Sequence, residues 1–278
     1  MSIDPAVVED VVRRALAEDL AYGPDITTQA TVAADARGSA DLTPRRSGTL
    51  AGLPVAEAVF RAVGDIDTIL HAADGDRVEA GRPVLTAVGP VRQLLTAERT
   101  ALNFVGQLSG VATLTRTLVD AVEGTGARIR DTRKTVPGLR ALQKYAVRCG
   151  AGVNHRMGLG DEALIKDNHV LAAGGIRQAV EAVRRAAPQV TVEVECDTLD
   201  QVAEAIEAGA RLILLDNMTL DQMRRAVELA RPRAVLLEAS GGLTAPAVRA
   251  VAETGVDFLA IGALTHSAPV LDIGMDLR

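Results

Sequence analysis

The chain has 278 residues, 48% of them hydrophobic and 24% charged, an ordinary globular balance rather than a disordered one. That length suits one α/β barrel, or a barrel with a smaller companion domain. A net charge of −6 and a pI near 5.3 argue against nucleic acid or an anionic membrane as the main partner, while leaving room for a small basic pocket. Aromatic residues make up only 2%, with no Trp, so Ala, Val, Leu and Ile must build the core. Cys149 and Cys196 form no CxxC pair and read as reduced structural thiols rather than a disulfide scaffold or zinc site. The first residues lack the basic start and apolar core of a signal peptide, and no apolar run approaches the ~20 residues of a membrane span. The expectation is a soluble, cytoplasmic protein.

In chain order, Asp4 caps a first helix and Pro5 suits its first turn. Val8, Val11, Val12, Ala15, Leu16 and Leu20 then recur at helical spacing. A turn at 23–25 leads into ITT. Short strands are expected near 36–43, 49–52, 66–71 and 84–88, with a helix over 54–63, so residues 1 to about 110 read as a mixed α+β unit. A long helical stretch begins near Val91, with Ser109-Gly110 as a candidate break or bend. After residue 126 short apolar strands (127–131, 163–165, 190–195, 211–216, 234–239, 257–262) alternate with helices (138–148, 175–187, 198–208, 219–230, 245–254). That alternation implies parallel strands with right-handed crossovers. Six or seven such units suit a barrel, complete or open, better than an open sheet, and no GxGxxG follows a first strand to favour a dinucleotide fold.

The ends of these strands carry the chemistry. They run into Asp131-Thr132-Arg133-Lys134, Lys166-Asp167-Asn168-His169, Glu195, Asp216-Asn217, Ser240-Gly241-Gly242 and Ile261-Gly262-Ala263, and two strands carry Glu193 and Glu238. In a parallel barrel all of these ends share the face where barrel enzymes work. Each piece has a plainer reading alone: Arg133-Lys134 as a solvated loop, Lys166 as a snorkelling strand end, Glu195 and Asp216 as helix caps, His155-Arg156 as a surface turn, the glycines as turn glycines. Together they make a site. The glycine turns offer backbone N–H groups to a phosphate. Arg133, Lys134, His155, Arg156 and Lys166 imply a ligand with several negative charges. Glu195 and Asp216 suit ribose hydroxyls, a magnesium ion or a developing cation. The residues alone therefore point to a sugar-phosphate barrel enzyme whose substrate they leave open.

The stretches at 130–169 (RDTRKTVPGLRALQKYAVRCGAGVNHRMGLGDEALIKDNH), VEVE (192–195), LLDN (214–217), EASGG (238–242) and AIGALTHS (260–267) resemble the quinolinate phosphoribosyltransferase family. EDLAYGPDITT (18–28) and RTALNFVGQLSG (99–110) are similar to its amino-terminal part. The resemblance implies an N-terminal α/β sandwich domain over 1–110 and an open, incomplete α/β barrel over 111–278, the last residues free to return to the first domain. It also implies a homodimer or larger homo-oligomer in which one subunit's sandwich caps another's barrel. By the same resemblance Arg99 reaches a neighbouring subunit's quinolinate, and Arg133, His155 and Arg156 hold the dicarboxylate beside Thr132. Lys134 and Lys166 lie between the two substrates. Glu195 and Asp216 take the ribose side and Mg2+. Ser240, Gly241, Gly242, Ile261, Gly262 and Ala263 hold the 5′-phosphate, with His266 at that edge. Lys134, Lys166, Glu195 and Asp216 are the expected catalytic residues.

The implied reaction joins quinolinate to phosphoribosyl pyrophosphate and releases carbon dioxide. The pyridinium formed by attack on the ribose is its own electron sink, so Mg2+ suffices and no organic cofactor is expected. Three readings compete: a related phosphoribosyltransferase acting on nicotinate or another ring acid, a Schiff-base aldolase using Lys166, and a non-enzymatic sugar-phosphate-binding regulator.

Overall fold

The computed structural model describes residues 2–244 and 246–278. The helices and strands of the first part are α1 (Pro5–Asp19), α2 (Ile26–Thr31), β1 (Arg37–Pro44), β2 (Gly48–Thr49), α3 (Leu53–Val63), β3 (Asp67–Leu70), β4 (Arg77–Val78), β5 (Leu85–Pro90) and α4 (Val91–Ala121). Then come β6 (Arg128–Arg130), α5 (Arg140–Cys149), β7 (Ala163–Ile165), α6 (Asp167–Ala173), α7 (Ile176–Ala186), β8 (Val192–Cys196) and α8 (Leu199–Glu207). The chain ends with β9 (Leu212–Asp216), α9 (Leu220–Ala230), β10 (Leu236–Ser240), α10 (Val248–Ala252), β11 (Phe258–Ala260), α11 (Ala263–His266) and β12 (Ile273–Leu277). The helix expected over 245–254 starts on Ala245, outside the described residues.

Contacts divide the chain into two compact units. The first comprises Met1–Arg116, Thr135–Ala151 and Ala263–Arg278, and the second Thr117–Lys134 and Gly152–Gly262. This partition differs from one cut near residue 110, for visible reasons. Tyr145 of α5 donates to Asp74 Oδ2 at 2.8 Å, and that carboxylate also receives the Gly52 and Leu53 N–H groups at the start of α3. Strand β12 pairs antiparallel with β1, Leu42 opposite Met275.

In the first unit an antiparallel sheet runs in the order β12-β1-β5-β3. Asp4 accepts from the Ala6 N–H at 2.9 Å and Asp25 from the Thr28 N–H at 2.9 Å, so side-chain oxygens satisfy orphan donors at the starts of α1 and α2. Helix α4 runs unbroken through Ser109-Gly110, correcting the expected break. Both residues serve packing instead. Ser109 Oγ donates to the Ala51 carbonyl (3.1 Å) and accepts from the Ala51 N–H (3.0 Å), and a Cβ at Gly110 would lie 2.1 Å from the Pro269 carbonyl oxygen.

The second unit is a parallel sheet of six strands in the order β6-β11-β10-β9-β8-β7, helices returning the chain between successive strands from β7 to β11. Val153 adds a parallel bridge to Arg130 on the free side of β6. In a flat sheet β6 and β8 would stand four strand spacings apart, roughly 19 Å. Yet His155, two residues after Val153, brings Nε2 to 2.9 Å from Glu193 on β8, and Arg130 on β6 reaches Glu238 on β10 at 2.6 Å. The sheet therefore curls into an open barrel whose interior layer is filled from alternate strands. Ile213 and Leu215 lie fully buried on one face of β9, while Leu212, Leu214 and Asp216 share the other.

Candidate active site

Side chains two apart on a strand share a face, so the barrel interior has levels. Glu193 and Glu195 share one face of β8, and Glu238 and Ser240 share one face of β10. The lower level is a buried polar floor. Arg130 donates to Glu238 Oε2 (2.6 Å) and Glu162 Oε2 (3.3 Å), and its guanidinium lies 5.0 Å from the Phe258 ring centroid. His155, only 6% exposed, accepts the Arg156 backbone N–H on Nδ1 at 2.7 Å. That leaves the ring proton on Nε2, facing Glu193 at 2.9 Å. The plainer reading of His155-Arg156 as a surface turn fails: His155 is buried, and Asp131 fixes the turn, its Oδ1 accepting the His155 N–H (2.9 Å) and its Oδ2 the Asn154 side-chain amide (2.5 Å).

Burial pushes both Glu193 and Glu238 up to about 8, and a neighbouring carboxyl adds to each: Glu162 for Glu193, Glu193 for Glu238. Arg130 works against both rises without cancelling them. Two such acids sharing one guanidinium keep a proton in the floor at neutral pH. His155, Glu162 and Glu193 lie close enough to hold a metal ion. Arg130, bonded to Glu162 and facing Glu238, already supplies the cation there, which disfavours a second one.

Above this floor stand the strand-end residues. Helices α8 and α9 are capped by Thr198 and Thr219, each accepting from the N–H three residues on at 3.3 Å. The capping reading of Glu195 and Asp216 is therefore wrong, and both acids are left for other work. Glu195 pairs with the Lys166 ammonium, and Asp216 accepts from the Asn217 amide at 2.8 Å. Lys166 leads into α6, a helix the sequence reading missed, and its N–H is accepted by His169 Nδ1 at 3.0 Å. This gives His169 a structural task.

Thr132 Oγ1 accepts the Lys134 N–H at 3.0 Å, turning the chain after β6. Arg133 follows with a buried Nε that bonds to no described residue. Arg156 is its electrostatic neighbour: burial first, then the Arg133 charge, pulls Arg156 below its ordinary range. Two neighbouring, partly buried guanidiniums are chemically suited to a ligand with more than one negative charge.

Gly241 and Gly242 both have positive φ, +100° and +57°. A Cβ at Gly241 would lie 2.2 Å from Asn217 Oδ1, whereas one at Gly242 would meet open space. The Ser240 carbonyl accepts the Asn217 N–H at 3.1 Å, tying this turn to the end of β9. Ile261 ends the neighbouring strand with its N–H on the Arg130 carbonyl at 2.9 Å, and Gly262 closes the unit.

The second unit contains Thr132, Arg133, Lys134, His155, Arg156, Lys166, Glu195, Asp216, Ser240, Gly241, Gly242, Ile261 and Gly262. Arg99, exposed on α4, belongs to the first unit with Ala263 and His266, whose Nδ1 lies 2.6 Å from Ser267 Oγ.

Family models match both parts of the chain. The quinolinate phosphoribosyl transferase N-terminal domain matches residues 25–109, and the C-terminal domain of the same family matches 111–276. The chain belongs to the quinolinate phosphoribosyltransferase family. A curated relative, the carboxylating nicotinate-nucleotide pyrophosphorylase of Mycobacterium leprae, is 55% identical over 273 residues, covering 96% of each chain. A probable carboxylating nicotinate-nucleotide pyrophosphorylase of Bacillus subtilis is 42% identical over 94% of this chain and 90% of its own. Among solved structures, the nicotinate-nucleotide pyrophosphorylase of Francisella tularensis superposes with a TM-score of 0.96 at 40% identity, covering 100% of this chain and 98% of that one. The expected α/β class, a first α/β part followed by a parallel barrel-type sheet, is observed, with an antiparallel sheet in the first unit and six parallel strands in the second.

The sequence reading gave no role to Arg130, Asp131, Asn154 or Glu162, nor to Glu193 and Glu238. The signal was present: charges inside short apolar strands, RIR, VEVEC and LLEAS, are out of place unless a polar interior awaits them.

Proposed function

We infer that this enzyme transfers a phosphoribosyl group from phosphoribosyl pyrophosphate to quinolinate with loss of carbon dioxide, giving nicotinate mononucleotide and pyrophosphate for de novo NAD biosynthesis. The observation that carries this reading is that Arg133, with a buried Nε that bonds to no described residue, acts electrostatically on Arg156, in a chain 55% identical to a carboxylating nicotinate-nucleotide pyrophosphorylase. Two neighbouring guanidiniums suit the two adjacent carboxylates of quinolinate.

The ring nitrogen attacks the anomeric carbon as the bond to pyrophosphate breaks, through an oxocarbenium-like transition state. Glu195 and Asp216, at the ends of adjacent strands, stabilise the positive charge that develops on the ribose. Lys166 and Lys134 offset the negative charge collecting on pyrophosphate. Gly241 and Gly242, with Ser240, Ile261 and Gly262, cradle the 5′-phosphate. Attack leaves a cationic pyridinium; the bond from C2 to its carboxylate then breaks, carbon dioxide departs, and the pair left on C2 takes up a proton. Holding two anions that repel in solution supplies much of the rate.

The paired carboxylates Glu195 and Asp216 also fit Mg2+, a hard ion that takes one or two carboxylates when substrate phosphates complete its shell. Bound there, it would neutralise pyrophosphate charge. His155 acts in this set through Arg156, whose N–H it accepts.

The working form is taken to be a homodimer or larger assembly in which Arg99 serves a neighbouring subunit, in line with the family resemblance. Mixing Arg99→Ala with Lys166→Ala subunits should restore part of the activity through one intact composite site; no recovery despite proven exchange refutes sharing. The cytoplasm is the proposed location: Cys149 and Cys196 are both free and buried, and no described helix is long and apolar enough to cross a membrane. The direct test incubates the protein with quinolinate, phosphoribosyl pyrophosphate and Mg2+. Nicotinate mononucleotide with matching carbon dioxide supports the assignment, and turnover of nicotinate alone refutes it.

A further inference from the structure

We propose that Glu162 is a positioning residue that sets the preference for a 2,3-dicarboxylate by holding Arg156 in place beside Arg133, an inference that rests on the functional reading above. Glu162 touches both parts of the His155-Arg156 pair. Its backbone carbonyl accepts Arg156 Nη1 at 3.1 Å, and its Oε1 lies 3.4 Å from His155 Nδ1, an approach without a hydrogen bond because that nitrogen already accepts the Arg156 N–H. Its Oε2 accepts Arg130 Nη2 at 3.3 Å, which ties the loop to the buried floor. The loop itself is stapled: Asp161 accepts the Met157 N–H (2.5 Å) and the Gly158 N–H (2.9 Å), so Glu162 is delivered by a closed turn. The Glu162 side chain is only 13% exposed, so these contacts are not dissolved by water.

Electrostatics gives the arrangement its purpose. Arg133 repels Arg156, and among the acids that oppose this repulsion Glu162 acts most strongly, ahead of Glu193 and Asp161. Without that counter-charge Arg156, tied to this loop only through one Nη on the Glu162 backbone carbonyl, would swing from its neighbour. A ring acid with one carboxylate needs only one of the two guanidiniums, whereas adjacent carboxylates need both at once and correctly spaced. Glu162 itself touches no substrate in this scheme. Its effect on specificity passes through Arg156.

Simple electrostatics and positioning predict opposite results. Removing a negative charge beside an anion site should tighten anion binding if charge alone matters. If Glu162 positions Arg156, Glu162→Gln should raise the KM for quinolinate about tenfold and leave the KM for phosphoribosyl pyrophosphate within about twofold. On an Arg156→Ala background the same substitution should add nothing, because its route is already cut. A lowered quinolinate KM, equal effects on both substrates, or full additivity with Arg156→Ala would each overturn the proposal. Should the Gln variant fail to fold, Glu162→Asp keeps the charge, draws the carboxylate back by one methylene and is read in the same way. If the wild-type protein turns over no quinolinate, the functional reading fails on its own. Calorimetric binding of pyridine-2,3-dicarboxylate to wild type and Glu162→Gln would still decide the positioning role: weaker binding by the variant supports it, and equal or tighter binding overturns it.

Discussion

Gly110→Ala is a one-methyl perturbation whose sign the fold decides. In an exposed helix interior, Ala is better than Gly by about 1 kcal/mol, so propensity alone makes the variant more stable. The structure says otherwise. The new Cβ would lie 2.1 Å from the Pro269 carbonyl oxygen, 3.0 Å from its carbonyl carbon and 3.1 Å from the Val270 Cα. Ordinary contact begins near 3.4 Å, so a gap of about 1.3 Å must open against backbone. That backbone is anchored: the Leu271 N–H donates to the Gly106 carbonyl at 3.0 Å, Leu271 is 6% exposed, and β12 follows directly. Overpacking of this kind costs roughly 1–3 kcal/mol or more. Against the propensity gain, the expected net is roughly 1–2 kcal/mol of destabilisation, the upper part of the overpacking range applying because the clash is with anchored backbone. Gly106→Ala, whose nearest contacts are at 3.0 Å, should cost less. Urea denaturation with matched slopes measures both. A stabilised Gly110→Ala variant would refute the reasoning that close approach, rather than a helix break, explains this glycine.

Lys166→Ala should lower turnover about a thousandfold with little change in unfolding midpoint, because the side chain is 45% exposed and its pairing with Glu195 adds little stability. Near-normal kcat in a folded variant would remove Lys166 from the reaction. Glu238 ionises near 8 in the folded protein but near 4.5 unfolded, so the folded state holds the extra proton. Its contribution to stability is therefore full below about pH 4.5, is lost as pH rises through about 8, and is constant above. Glu238→Gln should flatten that decline, which for one such group reaches up to ~1.4 kcal/mol per pH unit and is lessened by proton sharing with Glu193. Denaturant midpoints at pH 5, 7 and 9 measure it, and an unchanged slope in the variant would show that the proton resides elsewhere.

Much of this protein was legible in the chain because its parts are local or periodic. The Asp4-Pro5 start of α1, the alternation of short apolar strands with helices after residue 126, and the polar residues closing each strand follow from spacing and turn chemistry. The resemblance carried by DTRKT, HR and LIKDNH placed the chain in its family. Local signals were also misread. Asp25 starts α2 where only a turn was expected, and Lys166 to Ala173 hides a helix because its start uses His169, an uncommon cap. For Glu195 and Asp216 the chain alone leaves capping open as an alternative, which Thr198 and Thr219 remove by capping α8 and α9 themselves.

The sequence by itself determined the kinds of elements and the inventory of charges, since period and turn residues act over a few positions. Tertiary structure decided which charges meet. Arg130 and Glu238 are 108 residues apart, yet they bond at 2.6 Å. Curling of the parallel sheet brings alternate strands to one interior, and burial there turns ordinary glutamates into proton-holding ones. Tertiary structure likewise decided that β12 belongs with β1 and that Gly110 permits contact, because long-range pairing and close approach leave no periodic trace along the chain.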